Sequence, residues 1–135
     1  MFHVKHFEER ETMFQMFNAN PINNRVGDCV VRSLAFALNQ SWEQTYIELC
    51  VQGYAMCDMP TANHVWGEYL IRKGYKRKLV PDDVRTVSDF CEMFRKGSYI
   101  LAISGHVVAV QDGCYYDSWD SGNEVPIYYW EKSEV

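Results

Sequence analysis

Asp112-Gly113, set between two apolar runs, limits the possible folds of this chain more than any other feature. An Asp-Gly pair tolerates the positive φ angles that a two-residue hairpin needs. The flanks fit strands: His106-Val107-Val108-Ala109-Val110 before the turn and Cys114-Tyr115-Tyr116 after it. Upstream, Ser98 to Ser104 (Ser-Tyr-Ile-Leu-Ala-Ile-Ser) reads as a buried strand, parted from the next by Gly105. Downstream, Asp120-Ser121-Gly122-Asn123 reads as a turn, and Val125 to Trp130 as a last strand. The C-terminal third is therefore expected to form an antiparallel sheet.

The first two-thirds has a different period. Val30, Val31, Leu34, Ala35, Ala37 and Leu38 cover most sides of a 3.6-residue helix, and a helix apolar nearly all round is buried. Asp28, just before it, suits an N-cap. Ser41-Trp42-Glu43-Gln44 has capping-box spacing and opens a helix with Trp42, Tyr46, Leu49 and Cys50 near one face, ending around Gly53. Thr61 is expected to cap a third helix, with Val65, Tyr69 and Leu70 inward and Gly74 as its stop. Thr86 or Ser88 opens a fourth, carrying Phe90, Met93 and Phe94 and stopped by Gly97. Phe2 to Phe17 suggests a short helix or an arm, so residues 1–22 form an N-terminal appendage, and Asn18 to Arg25 is turn-rich loop. Helices followed by an antiparallel sheet make an α+β pattern, and 135 residues suit one domain spanning 1–135.

Charge and cysteine count exclude several functions. With 13 basic and 18 acidic residues the net charge is −5, which is not the footprint of a nucleic-acid binder. The one basic run, Arg72 to Lys78, reads as a helix end and the loop after it, since positive charge is favourable at a helix C-terminus. Five cysteines (Cys29, Cys50, Cys57, Cys91 and Cys114) do not make a disulfide framework. Met1 to Thr12 lacks the apolar core of a secretory signal, and no apolar stretch reaches the roughly 20 residues of a membrane span. The expected setting is cytoplasmic and reducing, with no membrane partner. Cys50 and Cys57 are too far apart for a zinc knuckle, and no glycine-rich phosphate loop is present, so neither metal nor cofactor is expected.

Among the cysteines, Cys29 stands apart. It follows the Gly27-Asp28 turn and heads the buried helix, and a helix N-terminus lowers a thiol pKa. A nucleophilic cysteine needs a base. His106 opens a central strand after Gly105 and is the first candidate. His64, inside a helix, is the rival, while His3 and His6 lie in the arm. The base needs an acceptor to orient it. Asp117 ends the strand folded back by the Asp112-Gly113 hairpin, and Asp120 is the alternative acceptor.

The tract Gly105-His106-Val107-Val108-Ala109-Val110, followed by Asp117-Ser118-Trp119-Asp120-Ser121-Gly122, resembles the C-terminal half of papain-like cysteine peptidases. In that family a His opens one strand and an Asn-Ser-Trp-Gly segment closes the next. Asp117 stands at the Asn position and Trp119 at the Trp position. The Asp there, and the Asp28-Cys29 pair, are similar to bacterial peptidases that remove leader sequences from exported peptides. The resemblance covers the region around Cys29 and that from Ser98 to Trp119. It implies a papain-like fold and a Cys29–His106–Asp117 triad cleaving a peptide or isopeptide bond in a peptide or protein substrate. It also implies an oxyanion-hole amide six residues before the cysteine. Asn23 stands there in place of the family's Gln, with Asn24 beside it. The same triad would serve a thiol acyltransferase, transglutaminase or amidase. The shorter Asn leaves open a third reading, a papain-like scaffold that binds a peptide or partner protein without turnover.

Overall fold

Tyr99 to Ile103 and Val107 to Val110 bury nearly every side chain, as strands covered on both faces do. The computed structural model describes residues 13–133 and shows where the two faces lead. Ile100, Ala102, Val107, Ala109 and Trp130 point into one core, with Val31, Leu34, Leu49, Trp66 and Leu70 from helices. Leu101, Ile103, Val108, Val110 and Tyr129, one residue out of phase, point into a second core with Phe90 and Cys91. The period of two in the strands thus divides the interior between two layers.

The elements are β1 (Phe14–Met16), α1 (Cys29–Leu38), α2 (Trp42–Ala55), α3 (Asn63–Arg72), β2 (Tyr75–Leu79), α4 (Val87–Met93), β3 (Ser98–Ile103), β4 (His106–Gln111), β5 (Cys114–Asp117) and β6 (Pro126–Lys132). Among the described residues, four helices and a six-stranded mixed sheet make the fold α+β, as expected. The strand order is β1-β5-β4-β3-β6-β2. Helices α1 and α3 contribute to the first core, while Phe90 and Cys91 of α4 lie in the second. Asp112 and Gly113 both take positive φ, 51° and 81°, and join β4 to β5 with Gln111 opposite Cys114. Among the described residues, no helix is long and apolar enough to cross a membrane.

Four local expectations are corrected. The sheet is not wholly antiparallel, because β1 pairs in parallel with β5, Met16 opposite Asp117. That strand occupies part of the stretch read as helix or arm; residues 1–12 of that stretch lie outside the described residues. The basic run starts at the end of α3, as expected, but continues as a strand rather than a loop: Tyr75 to Leu79 pairs antiparallel with β6, with only Tyr75 buried. Lysine-rich composition suits an edge strand, where it discourages pairing with another chain. Thr61 does not cap α3, whose N-cap is Ala62 and has no side-chain bond. Gly53 lies within α2, which runs on to Ala55. A Cβ at Gly53 would stand 2.7 Å from the Asp58 carbonyl oxygen, so close approach rather than termination accounts for this glycine.

The caps differ in completeness. Ser41 Oγ accepts from the Gln44 N–H, but the Gln44 side chain donates onward to Glu48, so that box is half formed. At α4, Thr86 and Asp89 form the reciprocal box.

Candidate active site

Cys29 is the first residue of α1, and the residue before it behaves unexpectedly. Asp28 occupies the N-cap position without capping. Its Oδ1 accepts from Arg32 at 2.6 Å and its Oδ2 from the Trp42 indole N–H at 2.9 Å. The first-turn N–H groups of a helix have no acceptor within it, so here they are left without their usual capping oxygen. Ser33 Oγ donates to the Val107 carbonyl at 3.0 Å and pins the second turn of α1 to β4.

His106 opens β4 and Asp117 closes β5, so strand adjacency brings them together. His106 Nε2 lies 2.7 Å from Asp117 Oδ2. That commitment leaves Nδ1 as the ring nitrogen available to Cys29. Asp117 is fully buried and saturated with donors. Oδ2 also takes the Ser121 hydroxyl at 2.6 Å, and Oδ1 takes Arg32 at 2.9 Å and the Ser118 N–H at 2.8 Å. Trp119 leans over His106, ring centres 5.0 Å apart, with its outer part in solvent.

The ionisation states follow from these neighbours. Burial pushes the Cys29 thiol up, but the adjoining His106, by hydrogen bond and by charge, outweighs it together with the Val107 N–H and the Arg32 charge; the thiol ends below its ordinary value. Burial pulls His106 down, yet Asp117 and then Cys29 prevail and push it up to about 9. Asp117 is raised by burial and lowered further by His106 and Ser121, ending below the usual carboxylate range. Both shifts run in the direction that favours a thiolate beside an imidazolium.

His106 should mark the pH dependence of stability. Its folded pKa of about 9 exceeds the ordinary 6.5. Its contribution is therefore complete below pH 6.5 and is lost as pH rises through 9. The shift corresponds to roughly 3 kcal/mol at most. Melting curves of wild type and His106→Gln between pH 6 and pH 10 check this. The gap between the two should close as pH rises; a gap that stays constant would remove the imidazolium from the account.

Beside the thiol runs a cleft of about 380 Å³. Cys29, Gly105 and His106 lie at it, and Trp66, Ile127 and Tyr128 give it apolar walls. Asn23 and Asn24 do not line it. They sit in an exposed loop where Asn18 Nδ2 donates to Asn23 Oδ1 and to the Asn24 carbonyl, and Asn20 Oδ1 accepts from the Asn24 N–H. Asp120 is engaged elsewhere, accepting from the Tyr115 hydroxyl and the Gly122 N–H. His64, largely exposed, pairs with Asp58 at 2.6 Å.

Cys29, His106 and Asp117 thus converge, while Asn23 does not join them. Three contributors escaped the sequence reading: Arg32, Trp42 and Ser121; Asp28 was noted as a cap and as the Asp before the cysteine, but not as their partner. Arg32 had a signal. A charged residue inside an otherwise apolar helix must find a partner, and Asp28 lies four residues before it on the same face. No family model, curated protein or solved structure matches the chain.

Proposed function

We propose that this chain is a papain-like cysteine hydrolase that cleaves a peptide or isopeptide bond in a peptide or protein substrate. The observation that carries the reading is the convergence of Cys29, His106 and Asp117 at the head of α1. A thiolate held by an imidazolium, itself held by a buried carboxylate, is the arrangement that acyl transfer to sulfur requires.

In this scheme the Cys29 thiolate attacks the substrate carbonyl carbon. His106 Nδ1 gives its proton to the departing amine, leaving a thioester. Water then attacks the thioester with His106 as base, and the acid leaves. The charge on the carbonyl oxygen falls near the uncapped N–H groups of α1, whose dipole favours it. A side-chain donor from Asn23 would require the 18–27 loop to swing towards the cleft. That requirement also favours a second reading, a scaffold that binds peptide without turnover.

Peptide-resolved alkylation by iodoacetamide at pH 6 tests the proposal. Cys29 should react at least about tenfold faster than a free model thiol, because thiolate rather than thiol is the nucleophile. His106→Ala should abolish that advantage. A Cys29 that reacts no faster than the model thiol, with His106→Ala unchanged from wild type, would sink the hydrolase. Unchanged peptide binding and biological effect in Cys29→Ser would favour the scaffold.

A further inference from the structure

We propose that Asp28 and Arg32 form a buried positioning pair that keeps Asp117 a carboxylate throughout the reaction and keeps the N-cap side chain away from the oxyanion position. The inference rests on the reading of Cys29 as nucleophile and goes beyond it, since neither residue touches the reacting atoms.

The first half of the proposal comes from burial. Asp117 has no exposed surface, and Arg32 and Asp28 are 3% and 6% exposed. During turnover His106 loses its proton to the leaving group. Had it no other cation, a fully buried Asp117 facing a neutral imidazole would be an unpaired charge in a poor dielectric and would take up a proton. Arg32, 2.9 Å from Oδ1, prevents this because a guanidinium does not titrate in proteins. Asp117 then stays a carboxylate with either form of His106.

The second half comes from where Asp28 points. An aspartate at an N-cap ordinarily accepts from the first-turn N–H groups. Here both its oxygens are taken, by Arg32 and by Trp42. The pair therefore turns a carboxylate away from the N–H groups that an oxyanion would need. The ionisable groups around Arg32 are Asp28 and Cys29 at the head of α1, His106 on β4 and Asp117 on β5. From α2 comes the Trp42 indole N–H, which caps the row. Charges alternate along it: thiolate, imidazolium, carboxylate, guanidinium, carboxylate.

The pH profile of Cys29 alkylation by iodoacetamide, read peptide by peptide on the full chain, tests the pair. Wild type should show a lower limb for thiolate formation and an upper limb for loss of the imidazolium. In Arg32→Met both limbs should move up by about one pH unit, since removing a nearby positive charge tightens proton binding. Arg32→Lys should recover at least half of that movement. Asp28→Asn/Arg32→Met, which leaves no buried charge of the pair unmatched and keeps an acceptor for Trp42, is read if Arg32→Met does not fold; its limbs should move up by less, because losing the Asp28 charge partly offsets losing that of Arg32. In wild type, the carbon-13 shift of the Asp117 carboxyl should keep its carboxylate value as His106 titrates. A folded Arg32→Met with both limbs in place, or an Asp117 that protonates as His106 loses its proton, overturns this proposal and leaves the hydrolase standing. A wild type without the two limbs overturns the hydrolase, and the positioning role with it.

Discussion

Asp117→Ala is expected to lower folding stability by about 3–5 kcal/mol and the acylation rate by roughly 10⁴-fold. Both losses come from one saturated carboxylate. Four donors converge on it: His106, Arg32, Ser121 and the Ser118 N–H. Alanine strands the Arg32 cation in the interior with Asp28 as its remaining partner, and breaking a buried pair costs far more than its net worth. It also frees His106 Nε2, so nothing fixes the ring with Nδ1 toward the thiol. Urea titration gives the first quantity, and the burst of nitrophenol from p-nitrophenyl acetate gives the second. A stability loss under 1 kcal/mol would contradict the buried network. A large stability loss with an unchanged burst would remove Asp117 from the chemistry.

Trp66→Ala should cost about 3–5 kcal/mol, the range for deleting a buried aromatic side chain. Trp66 has no exposed surface, stands edge-on to Trp130 and stacks on Tyr128, and its indole N–H donates to Asn63 at 3.1 Å. Gly67 leaves room for the Trp130 ring, which a Cβ would meet at 3.1 Å, so the two tryptophans lock α3 to β6. The urea midpoint should fall with the slope unchanged. A loss below 1 kcal/mol would mean that the cleft wall collapses to fill the space. Because Trp66 also walls the cleft, this variant should bind apolar side chains less selectively while Cys29 keeps its reactivity.

Where the candidate site was legible in the sequence, local chemistry carried the signal. The Asp112-Gly113 turn and the period-two strands were enough to predict that Asp117 returns beside His106. Cys29 announced itself by the turn before a buried helix. The lost information was non-local. Strand β1 is three residues long and its partner lies about a hundred residues away, so no periodicity reveals it. Strand β2 exposes four of its five residues, and a lysine-rich edge has no apolar alternation to read. Asp28 looked like a cap because the alternative use of its carboxylate depends on Trp42, which only the packing of α2 against α1 brings near. Asn23 followed from the family resemblance, which gives only its distance along the chain from Cys29, and that distance does not say which way a loop folds.

The network that ties α1 to β5 also has a consequence in time. Asp117 follows Arg32 by 85 residues. At about 5–20 residues per second of synthesis, the head of α1 is made roughly 4–17 s before the strand that completes the site. Until β4 and β5 have been made, Cys29 has neither its imidazole nor the carboxylate behind it and remains an ordinary thiol. The order of residues along the chain thus acts as a timer: the neighbours that lower the Cys29 thiol are complete only once the sheet beside it has closed.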